Sequence, residues 1–270
     1  MWIELVRQSR RRRTTVGLVG IAAVPVVLAV AFLLAGAGGG DGDGRGGDPT
    51  GLFSLATASG LNFALMSTAA TAPFLLLSVV ALFAGDTVSS EASVGSLRSL
   101  LTRPVPRGRL LGRKFAVAAL LSTLAAALVP LSGLVAGTIA YGWGPLVTPF
   151  GALPPGQGAL RLAAIAAYVA WSSSWVLAVA FALSTTTDTS VGAVAGTIVL
   201  VIIVQILDAI TVLGDVRTFL PVHEGLAWLG LLAAPPRWAD LTRGVLLQLP
   251  YLVAGSAFAW WWFGRKDVLS

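Results

Sequence analysis

Cysteine is absent from the 270 residues, and histidine occurs once, as His223. The first absence excludes disulfides, thiolate catalysis and Cys-ligated metals. The second leaves no metal centre to build: a zinc site takes three or four ligands, and no second His follows His223-Glu224 at helical spacing. His223 therefore reads as a surface histidine or as part of a segment that re-enters the membrane. Charge is also scarce, at 11% of residues against about 25% in a soluble domain. A solvated surface of the usual kind is missing. So is a phosphate-cradling loop. The nearest approach to G-x-x-x-x-G-K-[ST], residues 108–114, has the wrong spacing and Phe115 where a hydroxyl residue belongs. ATP chemistry is not encoded here, and no cofactor is expected on this chain.

What the sequence does have is apolar length. Hydrophobic residues make up 56% of the chain, and the mean hydropathy is +0.84. Crossing the hydrocarbon of a bilayer takes about 20 apolar residues in a helix. Six stretches qualify, at 16–35, 61–84, 106–140 (apolar from 115), 160–183, 191–213 and 244–263. The fold class expected is an all-α integral membrane domain over 16–270, preceded by a segment 1–15. The polar run Ser184-Thr185-Thr186-Thr187-Asp188-Thr189-Ser190 is all that separates the fourth stretch from the fifth. No small-residue cleavage site follows the basic N-terminus, so the first stretch reads as a span rather than a removable signal peptide.

An even count of spans puts both termini on one side. The net charge of +6 then sets the orientation, because its 16 Arg and 2 Lys cluster beside apolar segments. Thirteen fall in the two terminal segments and in the connection 85–114, against five (Arg45, Arg161, Arg217, Arg237 and Arg243) in the alternate connections. The positive-inside bias predicts a multi-pass protein of the plasma membrane with cytoplasmic termini. Basic residues in such places meet lipid head groups, and no aromatic-plus-basic face suggests nucleic acid.

Before the first span, Trp2, Leu5, Val6 and Ser9 share one helical face, with Glu4, Arg7, Gln8 and Arg11 opposite. That pattern predicts an amphipathic helix in the membrane interface, the alternative being a solvated basic tail. Residues 38–48 alternate Gly and Asp, but one short copy cannot supply the six to eight oxygens a calcium shell takes, so they read as a solvated loop. The connection 213–243 is broken by Pro221, Pro235 and Pro236. Its apolar stretch around Leu226, Trp228 and Leu232 is too short to cross and predicts an outer re-entrant or interfacial element.

The connection 85–114 reads as a short helix, a Pro-fixed turn and the start of the third span. Ser89 or Ser90 is placed to cap that helix, with Glu91 in its first turn at the positive dipole end. Pro104 disfavours helix at Arg103 and ends the element. Arg107, Arg109, Arg113 and Lys114 crowd the start of the third span, where the helix dipole disfavours cations. Head groups, topology or an acidic partner surface must explain them.

At Gly85, Asp86, Ser89, Glu91, Gly95, Leu97, Leu100, Leu101, Arg103, Pro104, Val105 and Arg107 the chain resembles the ABC-2 type permease family. That family carries G-D-x-x-S-x-E-x-x-x-G-x-L-x-x-L-L-x-R-P-V-x-R after its second span. The resemblance implies the membrane subunit of a type V-like ABC exporter, in which two permease chains, here a homodimer, sit above two copies of a cytosolic ABC ATPase subunit. ATP and Mg then belong to the ATPase, and this chain is no enzyme. It further implies that the loop element is a cytoplasmic coupling helix docking in the ATPase through Asp86, Glu91, Gly95, Leu97, Arg98, Leu101, Arg103 and Pro104, with a second contact at Thr186 and Asp188. The alternative is a loop that merely joins two spans. An importer fits less well, since Gly95 falls two residues early for an E-A-A-x-x-x-G loop.

Asp208 stands in the fifth stretch with Gln205 and, lower on its face, Thr197. A carboxylate in a membrane helix is expensive and usually meets protein or water. These three residues are candidates for a translocation path or a subunit interface, unless Asp208 lies near enough to the outer surface to be hydrated. Gly133/Gly137 and Gly192/Gly196 are small-x-x-x-small pairs that permit close helix packing. Pro25 and Pro73 are placed to kink the first two spans. Trp260, Trp261, Trp262 and Phe263, before Arg265, read as an interface anchor. An intramembrane enzyme would need a nucleophile–base pair or a metal cluster that this composition does not offer. A permease-like subunit passing ATP-driven motion to an outer partner would share the loop motif and is the remaining alternative.

Overall fold

A computed structural model describes residues 8, 12–34, 52–93 and 107–265. Six helical units in it are long and apolar enough to cross a bilayer. The chain is an all-α integral membrane protein, and a small β-hairpin is the one sheet among the described residues.

The first span is α1 (Arg12–Leu34), which contains Pro25 and continues through it. The second is built from α2 (Gly60–Thr71), a widened π turn at Ala72–Leu76, and α3 (Leu77–Ser93). Pro73 lacks the N–H that a regular turn would use, and the π turn absorbs that defect without breaking the span. The third span, α4 (Arg107–Tyr141), has 35 residues. At 1.5 Å per residue it is about 52 Å long, so it projects well beyond a hydrocarbon core of about 30 Å. The hairpin of β1 (Leu146–Thr148) and β2 (Gly151–Leu153) follows, antiparallel with Leu146 opposite Leu153. Asn62 of α2 holds it. Its amide nitrogen donates to the Val147 carbonyl at 2.6 Å, and its amide oxygen accepts from the Val147 N–H at 2.9 Å.

The fourth span consists of α5 (Pro155–Ser172) and α6 (Ser174–Thr186), offset at Ser173. The fifth is α7 (Ser190–Ala209), whose first turn is capped by the Thr189 side chain. Two 3-10 segments, Thr211–Phe219 and His223–Leu232, then close one end of the bundle, and α8 (Ala239–Arg265) completes it.

Several boundaries differ from the sequence expectation, for identifiable reasons. The second span does not stop at 84. It runs to Ser93, and Ser89 and Ser90 are not caps. Their hydroxyls donate back to the carbonyls of Gly85 and Asp86 at 2.6 and 2.5 Å, which keeps them inside the helix. The polar run after 183 is partly helix as well. Ser184 and Thr185 are buried and donate to Phe181 and Ala182, so the true break is only Thr187–Thr189. The fifth helix ends at Ala209 rather than 213.

The second and fourth spans form the centre, with 56% of their most apolar windows buried, whereas the first, fifth and sixth reach only 17%. Close approach of α2 and α4 rests on glycine. A Cβ on Gly137 would lie 2.6 Å from the Phe63 Cβ and 3.0 Å from the Gly60 carbonyl oxygen. At Gly133 it would meet the Ser67 hydroxyl and the Ala64 backbone. The second glycine pair behaves differently, since a Cβ on Gly196 would touch only the Leu183 side chain, at 3.6 Å. The tryptophan run also divides. Trp260 packs inward on Phe115 and Phe181 with ring centroids 5.9 and 6.0 Å away, while Trp261 and Trp262 face outward. Arg265 stands 4.3 Å above the Trp261 ring.

Candidate functional site

Two polar sites occupy opposite ends of the bundle. The first lies where α1, α4 and α7 begin and α3 and α6 end. Arg13 donates to Asp86 at 2.9 Å and to the Ser190 hydroxyl at 2.7 Å, joining α1, α3 and α7 at one point. Next to it, a Cβ on Gly85 would lie 2.9 Å from the Val194 side chain and 3.3 Å from its backbone nitrogen, so glycine is what lets α3 reach α7. Lys114 is buried and donates to the Thr87 carbonyl at 3.1 Å. Gln8, which the helical pattern placed on the solvated face, is buried too and donates to the Phe83 carbonyl at 3.4 Å.

These contacts add partners that the sequence does not reveal. Asp86 was expected among the residues that dock the ATPase, but its side chain is 9% exposed and is paired within the chain. Gly85 and Asp86 therefore act as a junction from which the rest of the motif departs. Lys114 is likewise turned inward, donating to the carbonyl of buried Thr87 six residues before the end of α3, while Arg109 and Arg113 are exposed. Glu91 lies in the last turns of α3. Gly95, Leu97, Arg98, Leu101, Arg103 and Pro104 lie outside the described residues, as do the amphipathic pattern from Trp2 to Val6 and the Gly/Asp run 38–48. Thr186 donates to the Leu183 carbonyl at 3.0 Å, and Asp188 is exposed beside the cap of α7.

The junction makes a direct stability prediction. Arg13→Ala and Asp86→Ala should each lower the thermal midpoint, and the double variant should lose less than the two losses added. A double-mutant cycle should give a coupling of about 0.5–3 kcal/mol. The lower part of that range is expected, because Arg13 is 60% exposed and solvent screens it. Strict additivity would show that the pair contributes nothing.

The second site sits under the closing segment 211–233. Asp208 is the penultimate residue of α7, and its Oδ1 meets His223 Nδ1 at 2.7 Å and Arg217 Nε at 3.8 Å. The carboxylate is thus partnered at the end of the span rather than bare in its middle. Gln205 donates to the Pro73 carbonyl at 2.5 Å, in the π turn of the second span. Together Gln205 and Asp208 line a cavity of about 250 Å³ walled by Pro73, Trp175, Leu226 and Trp228. Thr197, grouped with them on helical spacing, is not part of it. It is fully buried and donates to the Ala193 carbonyl at 2.8 Å.

The second half of the closing segment, His223–Leu232, is apolar and tucked inward, with Trp228, Leu231 and Leu232 buried, whereas Thr211–Phe219 buries no residue. The segment's irregular backbone leaves carbonyls that need partners wherever they are shielded from water. Arg161 of α5 supplies two, to Leu231 at 2.5 Å and Ala233 at 2.7 Å, and Tyr168 donates to Glu224 at 2.6 Å. From α8, Gln248 donates to the Pro221 carbonyl at 2.8 Å and Tyr251 to that of Phe219. In the sequence Arg161 stands out only as a topology charge, and Tyr168 and Gln248 carry no signal. Their partners are 27 to 72 residues away, and no periodicity links such positions.

Six helices long and apolar enough to cross a bilayer, with a closing segment whose carbonyls are met by side chains of α5 and α8, define a polytopic membrane protein. The family model of the ABC-2 family transporter proteins matches residues 1–204. The chain belongs to that family. The match includes the Arg13–Asp86–Ser190 junction and ends just before Gln205, so Asp208, the closing segment and α8 lie beyond it. No curated protein matches the chain.

Proposed function

We propose that the chain is the permease subunit of an ABC exporter, paired with a second copy of itself above two cytosolic ATPase chains. The observation that carries this reading is the family match over residues 1–204, which contains the whole loop motif. The excess of Lys and Arg at the junction end supports placing that end, with both termini, in the cytoplasm of the plasma membrane. The ATPase then docks on Glu91, Gly95, Leu97, Arg98, Leu101, Arg103 and Pro104, with Thr186 and Asp188 as a second contact. ATP and Mg are held by the partner, and hydrolysis is the partner's chemistry.

On this reading Asp86 works as a positioning residue. A push on the loop reaches α3 and, through Arg13 and Ser190, α1 and α7 together. The first and fifth spans are largely uncovered and supply apolar faces for lipid and for the second copy. The cavity at Gln205 and Asp208 favours transport over a purely mechanical role. Native mass spectrometry of the permease with its ATPase in a lipid-like detergent is expected to give a two-plus-two complex. A permease that stays monomeric with the ATPase bound would contradict it.

A further inference from the structure

We infer that the cavity beneath the closing segment binds small amphipathic amines, an apolar body carrying one protonated nitrogen. Its volume of about 250 Å³ is a little under the 300 Å³ or so at which pockets begin to hold drug-sized ligands. A single ring with a short chain is the right scale. Its wall is apolar, with the rings of Trp175 and Trp228 and the two prolines Pro73 and Pro221. Among the described residues Asp208 is the only ionisable group lining it. The two partners of that carboxylate, His223 and Arg217, both address Oδ1, which leaves Oδ2 open. The Gln205 amide nitrogen is engaged with Pro73, which leaves its oxygen as a second acceptor. The Ser172 hydroxyl is already given to the Val169 carbonyl.

An ammonium group fits these open positions. It has three donors for two side-chain oxygens, and indole faces are the best aromatic partners for a cation. A carboxylate ligand would face Asp208 and be repelled. A neutral alcohol keeps the apolar contacts and forgoes the charge-assisted bond. Arg217 competes with such a ligand, but loosely. Its Nε lies 3.8 Å from Asp208 and makes no hydrogen bond among the described residues. Only the step from binding to cargo depends on the permease reading.

The test uses the full chain in nanodiscs of zwitterionic lipid, followed by tryptophan fluorescence because Trp175 and Trp228 line the cavity. The probes are 4-phenylbutylamine, 4-phenylbutan-1-ol and 4-phenylbutanoate. Saturable binding of the amine, about tenfold tighter than the alcohol, is expected, with the carboxylate weakest. Asp208→Asn should bring the amine down to the alcohol's affinity and leave the alcohol unchanged. Arg217→Gln should tighten the amine by several-fold, a direction that a merely structural role for the ion pair would not produce. Equal affinity for amine and alcohol in the native protein would overturn the inference. So would an Arg217→Gln variant that binds the amine no better, which keeps the test decisive if Asp208→Asn fails to fold. Stimulation of the partner ATPase by the amine is measured separately. Binding without stimulation upholds the site and counts against the permease reading instead.

Discussion

Glu91→Ala and Arg103→Ala are each expected to abolish stimulation of the partner ATPase while the permease remains folded and inserted. The separation of effects follows from where the residues sit. Glu91 lies past the Arg13–Asp86 junction, near the end of α3, and Arg103 lies further along the loop. The contacts named above for the α2–α4 crossing and for the closing segment are all made by other residues. Loss of either charge is expected to change stability by about 1 kcal/mol or less, whereas truncating a side chain that docks the ATPase should uncouple the two subunits outright. Asp86→Ala provides the contrast: it should lower both stability and coupling, because it breaks the junction that carries the loop. The readouts are hydrolysis by the ATPase in proteoliposomes and the thermal midpoint of the permease alone. Normal stimulation in both loop variants would remove the coupling assignment.

The largest stability effect is expected at Gly137. An added methyl would press on the Phe63 Cβ at 2.6 Å and on Gly60 backbone atoms at 3.0 and 3.1 Å. Backbone cannot swing aside as a flexible side chain can, so α2 and α4 would have to part. Overpacking by a single methylene group typically costs about 1–3 kcal/mol. Gly137→Ala should fall at or above the top of that range, and Gly137→Leu should prevent a stable fold. Gly196→Ala is the control, since its methyl would find only the Leu183 side chain, at ordinary contact distance. There the gain in helix propensity of about 1 kcal/mol is unopposed, and the variant should be neutral or slightly stabilised. Thermal unfolding of both variants in the same detergent checks the pair. Equal effects would mean that the crossing is looser than its geometry indicates.

This contrast also marks how far the sequence could be read. Gly133/Gly137 and Gly192/Gly196 are the same pattern, yet only the first pair faces a helix that comes close. Spacing shows that a small residue is present, and the neighbouring helix decides whether it matters. The six spans were legible because apolar length is a local property that lipid demands of every crossing helix. Helix ends were less so. Ser89, Ser90, Ser184 and Thr185 look like breakers or caps, but each bonds back to its own helix and the helix continues. At the candidate sites the residue types were readable and their partners were not. Asp86 stood out through the loop motif, but nothing in the sequence ties it to Arg13, 73 positions earlier, or ties Arg13 to Ser190, 177 positions later. Asp208 stood out as a carboxylate in an apolar stretch. That it meets His223 across the turn from α7 into the closing segment depends on a 3-10 path that no hydrophobic period encodes.

One measurement bears most directly on the permease reading: ATP hydrolysis by the partner ATPase, with and without this chain, in nanodiscs. The expected result is a hydrolysis rate that rises when the chain is present, with no hydrolysis by the chain alone. An ATPase rate indifferent to the chain, or hydrolysis by the chain in isolation, would contradict the reading.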